Sequence, residues 1–256
     1  MILLRSALYN LYFWMVTAAM AVGSLPIRFF APRLAPAYGK AWARTLNAGL
    51  GPLAGIRIAV TGREHLPKTG PALIASQHQS AFDTFVWLIL LSRPSYVVKR
   101  ELERIPLFGP MLRPTGQIAV DRSGGASAIR GLLREAAKAQ AANRQIIIFP
   151  EGTRRAPNDV GRLRPGIAAL AAHTGLPVIP VVTDSGRFWP RRAFRKRPGT
   201  IRIAILPPLP PGLPRNDLLD RLTDLYRAGV EAVGKSVEEP AGPFQDDRSN
   251  RLYLHD

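Results

Sequence analysis

Seven short runs rich in β-branched residues, separated by longer stretches of helical pattern, restrict this chain to a narrow set of folds. The runs cover residues 56–60, 72–75, 96–98, 118–120, 146–149, 178–182 and 201–205, each too brief to be a helix. Helical patterns occupy 82–91, 126–142 and 167–173. Such alternation predicts an α/β domain in which helices flank a largely parallel central sheet. The proline-rich stretch 206–214 cannot continue a sheet, because each proline lacks a ladder donor, and reads as an extended connection. A last helix is expected over 216–233. The chain of 256 residues, 46% of them hydrophobic, supports one sizeable core rather than two. The expected organisation is therefore an N-terminal helical segment over 1–56, one domain over 57–236 and a disordered tail over 237–256.

The N-terminal segment is distinctive. From Ser6 to Ile27 there is no charged residue, and 22 residues at the helical rise reach about 33 Å, enough to cross a hydrocarbon layer. Asn10 and Pro26 interrupt the apolar run, while Arg28, Phe29, Phe30 and Arg33 form the basic and aromatic mixture expected at lipid headgroups. Membrane anchoring is the expectation, against a secretory signal ending near Ala21 or a helix buried inside the protein. A second helical pattern over 38–53 is placed to return along the membrane surface as the other arm of a hairpin.

Lysine and arginine outnumber aspartate and glutamate by 35 to 18. Five acidic and two basic residues lie beyond Ser236, so the preceding body stands at about +20 and must meet polyanions such as nucleic acid, an anionic membrane or phosphorylated substrates. The chain has no cysteine, which removes disulfides, thiolate metal sites and a cysteine nucleophile.

Two constellations carry chemistry. In Gln77-His-Gln-Ser-Ala-Phe-Asp83 a continuous helix would rotate His78 and Asp83 onto different faces, so pairing requires His78 in a loop and Asp83 in the first helical turn. Ser80 and Asp83 also have capping-box spacing, which offers Asp83 a purely structural role. The second constellation is Phe149-Pro-Glu-Gly-Thr-Arg154. Here Pro150 ends a buried strand, Gly152 permits close backbone approach, and Arg154 presents a planar fork suited to phosphate. Between them Lys99 and Arg100 stand at another strand end, where their charges can join Arg154, and Pro106 and Gly109 shape the loop that follows.

The ordered blocks HQSAFD, KRELERIPLFG, FPEGTR and GLPVIPVV, spread over roughly residues 70 to 185, resemble the glycerolipid acyltransferase family, most closely its bacterial 1-acylglycerol-3-phosphate acyltransferases. The resemblance implies transfer of an acyl group from a thioester, acyl-CoA or acyl carrier protein, to the sn-2 hydroxyl of 1-acyl-sn-glycerol 3-phosphate. His78 would be the general base and Asp83 its orienting partner. Lys99, Arg100, Glu151, Gly152, Thr153 and Arg154 would bind the acceptor, and Pro180 would belong to the acyl or structural wall. No metal or cofactor is expected beyond the thioester cosubstrate. The expected partners are membrane lipids and the lysophospholipid, not nucleic acid, with the catalytic domain on the cytoplasmic face of an inner membrane. Gln77 stands where many members have Asn, and Leu163-Arg164-Pro165-Gly166 replaces the usual aromatic-basic-basic-Gly element, which bears on Arg164 and on acceptor identity. Glycerol 3-phosphate or a lyso-ornithine lipid is the alternative acceptor within the class. A membrane-tethered polyanion-binding protein without catalysis is the alternative outside it.

An imidazole suits the implied role because its ordinary titration range lies beside neutrality. Two further segments matter. Arg187, Arg191, Arg192, Arg195, Lys196 and Arg197 interleave with Phe188, Trp189 and Phe194, a mixture also found in single-stranded nucleic-acid binders. Beside an apolar anchor it reads as a contact with anionic lipid headgroups or an acidic carrier protein. Residues 229–236 match a phosphate-loop pattern in letters, but a helical pattern rather than a strand precedes them, so Gly234 reads as a helix stop.

Overall fold

A computed structural model describes residues 1–121 and 124–235. The tail expected over 237–256 lies outside the described residues. Helix α1 (Ile2–Phe30) and α2 (Ala35–Gly49) form an antiparallel pair, closed by a π-helical turn, Leu50–Ala54, that leads into β1 (Ile56–Thr61). Then follow β2 (Ala72–Ser76), α3 (Val86–Leu90), β3 (Pro94–Lys99), α4 (Gly109–Leu112), β4 (Ile118–Val120), α5 (Gly125–Ala141), β5 (Gln145–Ile148), α6 (Gly166–Thr174), β6 (Val178–Thr183), α7 (Ser185–Phe188), β7 (Gly199–Ile205) and α8 (Arg215–Lys235).

All seven expected strands join one sheet in the order β1-β7-β6-β2-β5-β3-β4. Neighbours are parallel, except that β6 and β7 run antiparallel. The side-chain period of two divides the apolar runs between the faces. Leu73, Ala75, Ile146, Ile148, Val178 and Val182 pack with α5, α6 and α8 through Leu132, Ile167, Leu170 and Leu222. Ile74, Ile147, Ile179 and Val181 pack on the other face with Tyr9 of α1, Leu46 of α2, and Phe85 and Trp87. Burial on both faces explains why these strands read as continuous apolar runs.

Three expectations change in detail. The helix expected over 82–91 is broken into a 3₁₀ turn, Phe82–Thr84, and the short α3, because Phe85 departs from helical geometry at φ −125°. The proline-rich connection stays tied to β6, through the Leu206 N–H on Pro180 O at 2.9 Å and an antiparallel bridge between Leu209 and Val178. Helix α8 continues through Gly234 to Lys235, so Gly234 is no stop, and Gly229 lies within the helix rather than in a phosphate loop.

Helix α1 is long and apolar enough to cross a membrane. Only Ser6, Tyr9 and Ser24 are buried along it, which overturns the alternative of a helix enclosed by the protein, while Leu11, Trp14, Met15, Phe29 and Phe30 are exposed. Its inner side is pinned by hydrogen bonds. The Tyr12 hydroxyl donates to Thr45 O at 2.6 Å, that of Tyr38 donates to Met20 O at 2.8 Å, and Trp42 Nε1 donates to Thr17 Oγ1 at 3.2 Å. Asn10, which interrupts the apolar run, donates to Phe194 O at 3.0 Å and accepts from the Lys196 ammonium.

The basic and aromatic segment is therefore only partly a surface. Lys196 is 1% exposed, with its ammonium 4.6 Å from the Trp189 ring centre and 5.6 Å from that of Tyr9, a cation–π arrangement under α1. Trp189 also meets Phe13 and Phe85 edge-on or tilted. These residues dock the helix, while Arg191, Arg192, Arg195, Arg197 and Phe194 remain exposed.

Candidate active site

Strands β2, β5, β3 and β4 point the same way, so the loops that leave their C-terminal ends gather on one edge of the sheet, where open α/β folds place ligands. After Ser76 the Gln77 N–H still bonds Val181 O at 2.9 Å, and the Gln77 side-chain oxygen accepts the Thr183 N–H at 3.2 Å. His78 is thereby turned out of the strand. Its Nδ1 lies 3.2 Å from Asp83 Oδ2, and the two side chains are 13% and 3% exposed. A carboxylate only accepts, so Nδ1 carries the hydrogen and Nε2 is left as the proton acceptor.

Asp83 combines the capping contacts with the contact to His78. Its Oδ2 also receives the Gln79 N–H at 2.7 Å and the Ser80 N–H at 2.8 Å, while Ser80 Oγ accepts the Phe82 N–H at 3.2 Å. One oxygen thus caps the turn and fixes the imidazole. As the spacing required, His78 precedes the turn and Asp83 sits inside it.

The Phe149–Arg154 block meets this loop directly. Phe149, placed by sequence only at a strand end, stacks on the His78 ring with centres 4.1 Å apart and planes at 17°. The following turn is closed by the Gly152 N–H on Phe149 O at 3.0 Å, with Pro150 at the position that favours its fixed φ. Gly152 has φ +73°, and a Cβ there would lie 3.3 Å from Arg164 Cγ, so its need is conformational as well as spatial. Glu151 is 1% exposed. Its Oε2 accepts the His78 N–H at 2.8 Å, whereas Oε1 is buried without a partner. Burial pushes its carboxyl up to about 9, against the lowering effect of the His78 bond, so at neutral pH Glu151 is a neutral acid bracing the loop.

Arg154 is half-buried. Burial pulls its guanidinium below the ordinary value, the nearby Asp83 carboxylate opposes this, and Arg191 and Arg192 add to the lowering. The exposed part of the basic segment therefore faces the same site, a convergence the sequence did not reveal. Thr153 is exposed on the turn. Lys99 and Arg100 are exposed at the end of β3, separated from β2 by β5. They share the edge with the dyad without touching it, and Arg100 lies 3.9 Å from Asp121. In the intervening loop a Cβ on Gly109 would meet Glu103 O at 2.1 Å, which accounts for that glycine. Pro180 lies in β6 opposite Ala75, inside the sheet. Among the described residues no group of three His, Asp or Glu could hold a metal ion. Taken together, a braced imidazole with one free nitrogen beside arginines can take a proton from a hydroxyl of an anionic molecule.

Comparisons with known proteins bear on the family and the fold. A 1-acyl-sn-glycerol-3-phosphate acyltransferase of Pseudomonas aeruginosa is 39% identical over 155 residues, 60% of this chain and 60% of that protein. The human 1-acyl-sn-glycerol-3-phosphate acyltransferase alpha is 30% identical over 188 residues, 72% of this chain and 66% of that protein. With the Limnanthes alba relative covered over 56% of its length, the chain spans somewhat under two thirds of the relatives it matches. The crystal structure of a 1-acyl-sn-glycerophosphate acyltransferase from Thermotoga maritima superposes with a TM-score of 0.75 over 91% of this chain and 98% of that one, at 23% identity, and so shares the fold. The sequence pattern of the acyltransferase family matches residues 57–184, half of the molecule, and the chain belongs to that family.

Proposed function

We propose that this protein transfers an acyl group from a thioester to the sn-2 hydroxyl of 1-acyl-sn-glycerol 3-phosphate, giving phosphatidic acid. The observation that carries the reading is the His78 Nδ1 to Asp83 Oδ2 contact of 3.2 Å beside Arg154. His78 Nε2 removes the proton as the acceptor oxygen attacks the thioester carbonyl, and Asp83 stabilises the imidazolium that forms. The carbon–sulfur bond then breaks, and the thiolate leaves or takes the proton back from His78. No acyl-enzyme is needed. Arg154 holds the acceptor phosphate, with Lys99 and Arg100 contributing from the same edge. The exposed apolar side of α1 supports association with a membrane, and the proposal sets the catalytic domain on the cytoplasmic face.

The test is a transfer assay on purified protein in micelles that crosses lysophosphatidic acid, glycerol 3-phosphate and a lyso-ornithine lipid with acyl-CoA and acyl carrier protein donors. Turnover is expected with lysophosphatidic acid, and it should collapse in His78→Ala while unfolding remains cooperative. Near-normal turnover of that variant would remove His78 from catalysis.

A further inference from the structure

Residues 155–165 run from the catalytic turn to α6, and they form one wall of a groove whose other wall is the first half of α8. One chamber has a volume of about 470 Å³ and presents Arg155, Arg162, Arg164 and Arg215 over Leu163 and Leu219. It continues along α8 into a second of about 550 Å³ that reaches Asp220, Thr223 and Arg227. Both lie within the range of small-molecule sites. The stretch of α8 from Arg215 to Arg227 extends about 18 Å at the helical rise.

The charges are arranged for an anion. Arg155 is tied to Asp159 at 3.3 Å and Arg227 to Asp224 at 3.5 Å. Among the described residues, Arg162, Arg164 and Arg215 have no carboxylate within ion-pair distance, and Asp220 is the one acid on the groove. The Arg155 Nε is buried without a hydrogen-bond partner. Guanidinium forks above an apolar floor suit a molecule that combines phosphates with a ring or a chain. The wall is continuous with the catalytic loop, since the Arg155 N–H donates to His78 O at 2.8 Å and the Arg164 N–H to Pro150 O at 2.7 Å.

We propose that this groove seats the nucleotide end of the acyl donor, an adenosine 3′-phosphate 5′-diphosphate of the coenzyme A type. The inference rests on the acyl-thioester reading above. The acceptor's phosphate is served by Arg154, which senses Asp83, so a second arginine set behind the same turn answers to the second phosphorylated substrate. A concave groove fits a nucleotide, whereas the acidic helix of a carrier protein needs an open basic face.

The test compares wild type with Arg162→Ala/Arg215→Ala, neither of which belongs to the catalytic loops, in steady-state assays with oleoyl-CoA and lysophosphatidic acid. The same proteins are titrated calorimetrically with coenzyme A, dephospho-coenzyme A and adenosine 3′,5′-bisphosphate in micelles. Loss of two charge-assisted contacts should raise the donor KM and weaken coenzyme A binding by about tenfold or more. Turnover at saturation and the KM for lysophosphatidic acid should stay within about twofold, and His78→Ala should bind coenzyme A as wild type does. Coenzyme A binding that is absent, or equal in wild type and double variant, overturns the proposal. A rise in the lysophosphatidic acid KM alone reassigns the groove to the acceptor and overturns it as well. Coenzyme A binding by wild type that weakens in the double variant, with no acyl transfer from any donor, would leave the groove standing and overturn the functional reading instead.

Discussion

Replacing Glu151 by Gln tests the buried acid beneath the His78 loop. In the fold the carboxyl holds its proton to about pH 9, while the unfolded chain releases it near 4.5. Between those values the folded state carries the extra proton, so stability falls as pH rises, by about 1.4 kcal/mol per unit. From pH 6 to pH 8 this single group removes about 3 kcal/mol. Glutamine has the same shape, cannot ionise, and keeps an oxygen for the His78 N–H that lies 2.8 Å from Oε2. The variant is therefore expected to lose this slope and to gain on wild type by about that amount across the interval. Denaturant unfolding in micelles, followed by tryptophan fluorescence at pH 6 and pH 8, measures it. A stability difference that stays flat between the two pH values would mean that Glu151 is ionised in the folded protein, and the bracing role assigned to a neutral acid would fall with it.

Asp83→Asn should lower the rate of acyl transfer by about 10²- to 10⁴-fold, since the amide no longer stabilises an imidazolium. Single-turnover kinetics read this directly, and a loss below tenfold would contradict the dyad. Gly152→Ala places a side chain at φ +73° and 3.3 Å from Arg164 Cγ, with an expected loss of about 1–2 kcal/mol of stability. An unchanged unfolding midpoint would show that the turn relaxes freely.

The elements were legible because sheet and helix periods are local properties. Ile74 and Ile147 face one way and Leu73 and Ile146 the other, so unbroken apolar runs marked strands covered on both sides. The relation between His78 and Asp83 was legible as well, because one continuous helix would set them on different faces, so a pair requires a loop followed by a turn. What escaped reading arises from distant contacts. Nothing near Phe149 in sequence announces that its ring lies on His78, and although Trp189 lies in the same segment as Lys196, nothing there announces that Tyr9 of α1 completes the aromatic box. Asn10 looked like a flaw in an apolar helix because its partners, Phe194 and Lys196, are more than 180 residues away. The segment of Arg191 and Arg192 reads in sequence as a contact for lipid headgroups or a carrier protein, and nothing beside it announces the influence of these two arginines on Arg154.

The docking of α1 has a practical consequence. Tyr9 is fully enclosed in the core that it shares with Ile74 and Trp189, and Ser6 holds the Lys196 N–H at 2.9 Å. A shortened chain beginning at β1 would not be a solubilised version of the same protein. It would uncover one side of the sheet and strand a buried ammonium among bare aromatic rings, inviting aggregation. Preparation of the protein therefore calls for keeping the helix and choosing an amphiphile that covers its outer side, and milder solubility should be sought by polar replacement of Leu11, Trp14 or Met15 rather than by deletion.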